Sequence, residues 1–350
     1  MERAAAHRGK PRTVRPLRRP RRPRPLAVPV SAAQAGGRAP RVLFHFAAGP
    51  ALRERLAPRL DGLDVRWCAE DDEERFAELL PDTDVLWHVL RPITAADMDR
   101  APDLKLIQKL GSGVNTIDLD HARARGVAVC NMPGANAQAV AETALTLMLA
   151  ALRRVVPLDA ATRAGRGWPI DTSLPERVGE IGGRTVGLVG HGAIARRLEA
   201  PLAALGATVR WHSPSGTDAD EGWRPLDALL AESDIVSLHL PLTPSTQNLI
   251  DARRLALMKP GAILVNTSRG GVVDEPALVE ALRTRLGAAG LDVFATEPVD
   301  PSNPLLALDN VVALPHVAWL TAETLDRCVD IAASNTHRTA TATPLAHQVI

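Results

Sequence analysis

TVGLVGHGAIARRLEAPLAALG, residues 185–206, takes the chain from a β-type run through two glycines into a helical pattern. A dinucleotide fingerprint needs that context: Gly190 allows the tight turn, Gly192 lets the backbone approach a pyrophosphate, and the helix N-terminus supplies amide donors. Ala195 occupies the place of the third glycine. Five more β-rich runs follow, at residues 208–213, 235–240, 262–268, 288–294 and 311–316, and six strands make a full dinucleotide-binding sheet. Upstream, runs at 41–46, 65–68, 85–90, 104–110 and 127–131 alternate with helical stretches. The class is therefore α/β, built from βαβ units around parallel sheets. A connector helix is expected after Asn136, ending at Pro157, with a loop-like stretch over residues 158–184. A further helix follows His316, from about Thr321 to Asn335.

With 350 residues, 46% apolar and 23% charged, the chain falls in the range of an ordinary globular protein of about two domains. Residues 1–40 carry ten Arg and one Lys against Glu2, with seven prolines; too few apolar groups remain there to pay for ordering, so a disordered basic tail is expected. Residues 41–350 carry 30 basic and 39 acidic groups, which gives no general attraction for nucleic acid. Three dispersed cysteines without a CxxC pair indicate neither a disulfide framework nor a metal site and suit a reducing cytoplasm. No apolar run reaches membrane-spanning length, and no secretory signal opens the sequence.

Three side chains stand just past the last three strands: Arg269 after AILVNTS, Glu297 after GLDVF, and His316 closing VVALPH. The crevice beyond the carboxyl ends of such strands is where ligands bind. There Arg offers a planar fork for a carboxylate, His transfers a proton near neutral pH, and an adjacent carboxylate orients and charges it. This set suits hydride transfer to a 2-oxo acid. The strand that should read the adenosine ribose ends at Ser213 with no acid. A 2′-phosphate would meet no repulsion, and the cofactor is NAD or NADP, leaning to NADP.

The strings LVNTSRGGVVDEPALVEAL (264–282), GLDVFATEP (290–298), NVVALPHVAWLT (310–321) and residues 104–150, with the fingerprint, resemble the D-isomer-specific 2-hydroxyacid dehydrogenases from about residue 41 onward. The resemblance implies that Arg269 binds the substrate carboxylate and oxo group, that His316 is the acid/base and that Glu297 pairs with it. It implies a carboxylate-binding loop at Gly111, Ser112 and Gly113, with Arg91 as a second basic contact and Trp319 as a bulky wall favouring small 2-oxo acids such as glyoxylate, hydroxypyruvate or pyruvate. On the cofactor side it implies Ala193 and Ile194 at the pyrophosphate turn, Ser213 at the ribose, Thr267 beside the nicotinamide and Asp292 at its carboxamide.

It further implies a doubly wound Rossmann cofactor domain over residues 136–320. A flavodoxin-like substrate domain, split in sequence, would occupy residues 41–135 and 321–350, and the assembly would be a homodimer. Formate dehydrogenases of this superfamily carry Gln at the Glu297 position, and phosphoglycerate dehydrogenases usually carry Asp at the Ser213 position, so both activities are less expected. Dinucleotide-sensing corepressors on the same fold are the alternative from another functional class.

Overall fold

The computed structural model describes residues 38–168 and 171–350. The expected tail lies outside them except for residues 38–40, where Arg38 pairs with Asp84 at 3.1 Å and the Pro40 carbonyl accepts the Asp64 N–H.

The eleven expected strands form two sheets. Strands β1 (Arg41–His45), β2 (Asp64–Cys68), β3 (Val85–His88), β4 (Leu106–Lys109) and β5 (Ala128–Cys130) build the first, in the order β2-β1-β3-β4-β5, all parallel. Strands β6 (Thr185–Val189), β7 (Thr208–His212), β8 (Ile235–Leu238), β9 (Ile263–Asn266), β10 (Ala288–Leu291) and β11 (Val311–Ala313) build the second. Their order is β7-β6-β8-β9-β10-β11, again all parallel. In each sheet the winding reverses beside its first strand, so a crevice opens at the carboxyl ends there. The second sheet thus carries one strand outside β6 rather than the two of the usual 3-2-1-4-5-6 order. Helices cover both faces, which is why strands such as RVLFH and ILVN are buried throughout and read as continuous apolar runs.

The connector differs from expectation. The helix Ala137–Leu152 stops because Arg154 turns left-handed at φ 49°, and a second helix, Val155–Arg163, starts at once. Pro157 falls in the first turn of that helix, where no intrahelical donor is lost; it does not end the first, and residues 158–163 are helical rather than loop. Along Ala137–Leu152, Val140 packs in the core of the first sheet, whereas Ala144, Leu147 and Met148 pack in that of the second. Gly290 on β10 allows this approach, since a Cβ there would stand 2.8 Å from Leu147 Cβ. The final helix, Ala322–Ala340, returns to the first sheet: Leu325, Val329 and Ala332 pack with Val42, Phe44 and Trp87, and Trp87 Nε1 donates to Thr336 Oγ1 at 3.0 Å.

At the amino edge of the first sheet, Asp84 accepts the Arg41 N–H at 2.9 Å and the Arg41 guanidinium at 3.0 Å. Burial alone would raise the Asp84 carboxyl; the Arg41 hydrogen bonds outweigh it and hold the group down at about 2. With its folded value below the ordinary ~3.9, Asp84 contributes its stability above about pH 4 and loses it as pH falls toward 2. Asp84→Ala removes the buried partner of Arg41, which keeps the more exposed Asp82 and Asp103, and should cost about 1–3 kcal/mol near neutrality. Urea unfolding checks this: the gap to wild type should narrow at about pH 3, and a gap that does not change with pH would refute it.

Candidate active site

The fingerprint turn is built as its glycines require. Gly190 sits at φ 92°, and a Cβ there would overlap the His239 carbonyl. Gly192 is the N-cap of Ala193–Ala204, with no side chain capping the helix and open space where a Cβ would stand. Ala195 is fully buried beneath the turn. The amides of Ala193 and Ile194 are therefore presented at an uncapped helix N-terminus, as a pyrophosphate needs. Ser213 follows β7, half-buried, with its hydroxyl 3.0 Å from Ser215 Oγ and its carbonyl accepting Trp223 Nε1 at 3.1 Å.

Between the two sheets lies a cavity of about 880 Å³. Ile194 and Thr267 line its cofactor side, and the Thr267 hydroxyl is buried without a hydrogen-bond partner among the described residues. An open glycine turn, free helix amides and an unpartnered hydroxyl are what a nicotinamide dinucleotide would occupy, so these residues fit the group. Gly111, Ser112, Gly113 and Trp319 line the opposite side.

Arg269, His316 and Asp292 meet in this cavity. Arg269 leaves β9 with Nη1 on the Ser268 carbonyl at 2.7 Å and Nε on Asn115 Oδ1 at 3.3 Å. Its own carbonyl accepts Asn266 Nδ2 at 2.9 Å, which fixes the turn. Burial lowers the Arg269 proton affinity, and Glu297 works against that. Gly270 packs so closely that a Cβ would overlap the Phe294 carbonyl; the Arg269 loop and the Glu297 loop are thereby pressed together.

His316 is left-handed, φ 57°, with its N–H on the Asp292 carbonyl at 2.8 Å. Its Nδ1 lies 2.6 Å from Glu297 Oε2, while Glu297 Oε1 accepts the Phe294 N–H at 2.9 Å. This leaves Nε2 as the ring nitrogen for the cavity. Burial would raise the Glu297 carboxyl, but the His316 contact outweighs it and holds the group below the ordinary glutamate range. The Asp292 carboxylate accepts the N–H groups of Val317 at 2.8 Å and Ala318 at 3.0 Å, so in the structure it anchors the His316 loop; burial raises its carboxyl against those two bonds.

Arg91 stands apart. Its guanidinium pairs with Glu73 at 2.7 Å and Asp97 at 3.0 Å and lies over Phe76, outside the cavity lining. Two acids on the following and preceding segments hold it, and no donor is left aimed at a substrate. Conversely, Lys109 and His239 line the cavity, and the sequence offered no sign of either beyond a polar residue closing an apolar run. Both ring nitrogens of His239 are buried without partners among the described residues, and burial takes its proton affinity down to about 4, so it is neutral there.

Residues 145–318 match the family described as D-isomer specific 2-hydroxyacid dehydrogenase, NAD binding domain. The chain is 42% identical over 284 residues to a D-3-phosphoglycerate dehydrogenase of Mycobacterium leprae, an alignment covering 78% of this chain and 52% of that one. It therefore spans about half the length of that relative. To a glyoxylate reductase of Aeropyrum pernix it is 41% identical over 264 residues, covering 73% of this chain and 79% of the relative. A solved structure from Thermus thermophilus superposes with a TM-score of 0.79 at 36% identity, covering 89% of this chain and all of that one. Sequence likeness over most of a relative's length, a fold shared end to end with a solved structure and a glycine turn inside the matched segment agree: the chain belongs to the D-isomer specific 2-hydroxyacid dehydrogenase family.

Proposed function

We propose that the protein is an NAD(P)-dependent oxidoreductase that interconverts small 2-oxo acids and D-2-hydroxy acids. The observation that carries this is the convergence of Arg269 and His316 on one cavity beside the fingerprint turn, with Glu297 behind the histidine at Nδ1. When bound, the nicotinamide dinucleotide gives or takes the hydride. The Arg269 guanidinium clamps the substrate carboxylate, with the amides of the loop at 111–113 as further donors. Protonated His316 gives the Nε2 proton to the substrate oxygen as charge develops there, and Glu297 at Nδ1 fixes the ring and balances the imidazolium. Trp319 narrows the substrate end.

Within this reading, residues 136–320 hold the cofactor, and the first sheet with the final helix holds the substrate. Exposed Val155 and Val156 on the second connector helix offer apolar surface for a second copy, and three buried free cysteines suit a cytoplasmic protein. A panel of 2-oxo acids with NADH and NADPH, followed by absorbance loss, tests the activity; no turnover with any of them would refute it.

The cofactor choice has its own test. No acid stands at Ser213, so Ser213→Asp should bring a carboxylate against a 2′-phosphate and shift the NADH-to-NADPH ratio of kcat/KM toward NADH by roughly tenfold or more. An unchanged ratio would show that the ribose is read elsewhere.

A further inference from the structure

The floor of the cavity holds a cation that the reaction above does not use. Lys109 ends β4, is 4% exposed and lines the cavity. Its ammonium donates to the Val89 carbonyl and lies 3.3 Å from His88 Nε2 and 3.4 Å from Thr116 Oγ1. Thr116 Oγ1 is in turn 3.0 Å from the same histidine nitrogen. Lys109 thus ties the ends of two strands to the far end of the loop at 111–116. At the near end, a Cβ on Gly111 would stand 3.7 Å from Lys109 Cε, and one on Gly113 would overlap the Arg269 guanidinium. Asn115 completes the arrangement through its contact with Arg269. The loop that bears Gly111, Ser112 and Gly113 is therefore held between two cations.

We propose that Lys109 is a positioning residue and second cation of the carboxylate site, setting the loop at 111–116 and drawing the anionic end of the substrate toward Arg269. This rests on the activity proposed above. Its donors are taken up by protein acceptors, so it acts through the loop and through its field rather than by touching substrate. The buried Lys109 and the half-buried Arg269 repel, and an anion between them relieves that repulsion.

The groups that face Lys109 define the sign. Burial, followed by the charge of Arg269, draws its ammonium down to about 7, while Glu70 opposes. His88 is itself kept neutral by burial and by Lys109, with His45 and Arg91 acting from beyond it, so it can accept from the ammonium. Proton and anion then bind cooperatively: each favours the other to the same degree. Anion affinity should fall as pH rises through neutrality.

The chain has four lysines, so ¹³Cε-labelled lysine gives four resonances, and Lys109→Met identifies the one in question. In the wild-type protein with NADH, its titration midpoint should lie near neutral pH and rise by about half a unit on saturation with oxamate, a threefold gain in proton affinity. In steady-state reduction, Lys109→Met should raise KM about tenfold at about pH 6, with a smaller fall in kcat, and the gap should close to about threefold by pH ~8.5. Any contribution of His316 is common to both proteins and cancels in the ratio.

A purely structural lysine would give a gap independent of pH. That result, or a midpoint that oxamate leaves unmoved, would overturn the proposal. Wild-type protein that binds oxamate and shifts the Lys109 midpoint, yet reduces no 2-oxo acid, would refute the activity and leave the role of Lys109 standing.

Discussion

His316→Ala should lower kcat for reduction of a 2-oxo acid roughly a thousandfold, about 4 kcal/mol of barrier, with KM changed far less. The imidazole is oriented by its carboxylate: Nδ1 is committed to Glu297 at 2.6 Å, which leaves Nε2 for the cavity. Neighbouring groups do not replace it: His239 is held neutral by burial, and Asp292 commits its carboxylate to two backbone amides. Glu297→Gln should cost less, roughly 10- to 100-fold, since it keeps the shape of the contact and removes its charge. The sign of the pH effect follows from the pair. Glu297 is held below its ordinary range by the His316 contact, so the carboxylate persists until the pH has fallen below that range. With Gln at 297 the acid-side loss of rate that protonation of this carboxylate gives wild type should be absent, because the titrating group has been replaced by a neutral one. Profiles of kcat/KM against pH for the three proteins decide this. If wild type and Glu297→Gln coincide, the pair is not the proton donor; if His316→Ala retains a tenth of wild-type kcat, another group is.

How much of this could be read beforehand depended on whether the cause was local. Strands covered on both faces are largely apolar, so β1, β3, β4, β8, β9 and β10 showed as runs; the more exposed β2, β7 and β11 were legible from their β-branched and aromatic residues. Gly190 and Gly192 announced the turn because only glycine satisfies φ 92° on one side and leaves the helix end open on the other. Arg269, Glu297 and His316 were legible since each follows its strand directly, and strand ends of a parallel sheet share one edge. Lys109 was not, because its environment is made by β3 lying beside β4 and by a loop folded back from residue 116. A lysine ending an apolar run says nothing of that. Arg91 misled for the matching reason: its place after β3 was right for a cleft residue, and Glu73 and Asp97, brought in by the fold, hold it elsewhere. The connector break at Arg154 had no marker, whereas Pro157, an apparent helix stop, is harmless three residues into a new helix.

Arg269→Met should lower kcat/KM for 2-oxo acids roughly a thousandfold, about 4 kcal/mol, because in the proposed reaction the guanidinium that pairs with the substrate carboxylate has no substitute among the described residues of the cavity. The same change should leave the unliganded protein as stable as wild type or raise Tm by a degree or two, an effect on the order of 0.5 kcal/mol. Arg269 is a half-buried cation whose contacts are a carbonyl, an amide oxygen at 3.3 Å and the more distant charge of Glu297. These return only part of its desolvation cost, and Lys109 adds repulsion from across the loop. Methionine fills most of the volume and removes both penalties. The field that attracts the substrate anion is thus the field that strains the site without it, and stability and activity should move in opposite directions at this one position. Lys109 supplies an internal control, since losing the neighbouring charge should raise its proton affinity and shift its ¹³Cε titration upward. Melting curves without ligand, paired with kinetics, test both halves. A fall in Tm of more than about 3 °C would mean that the guanidinium contributes net stability to the loop, and a kcat/KM within tenfold of wild type would remove Arg269 from the carboxylate site.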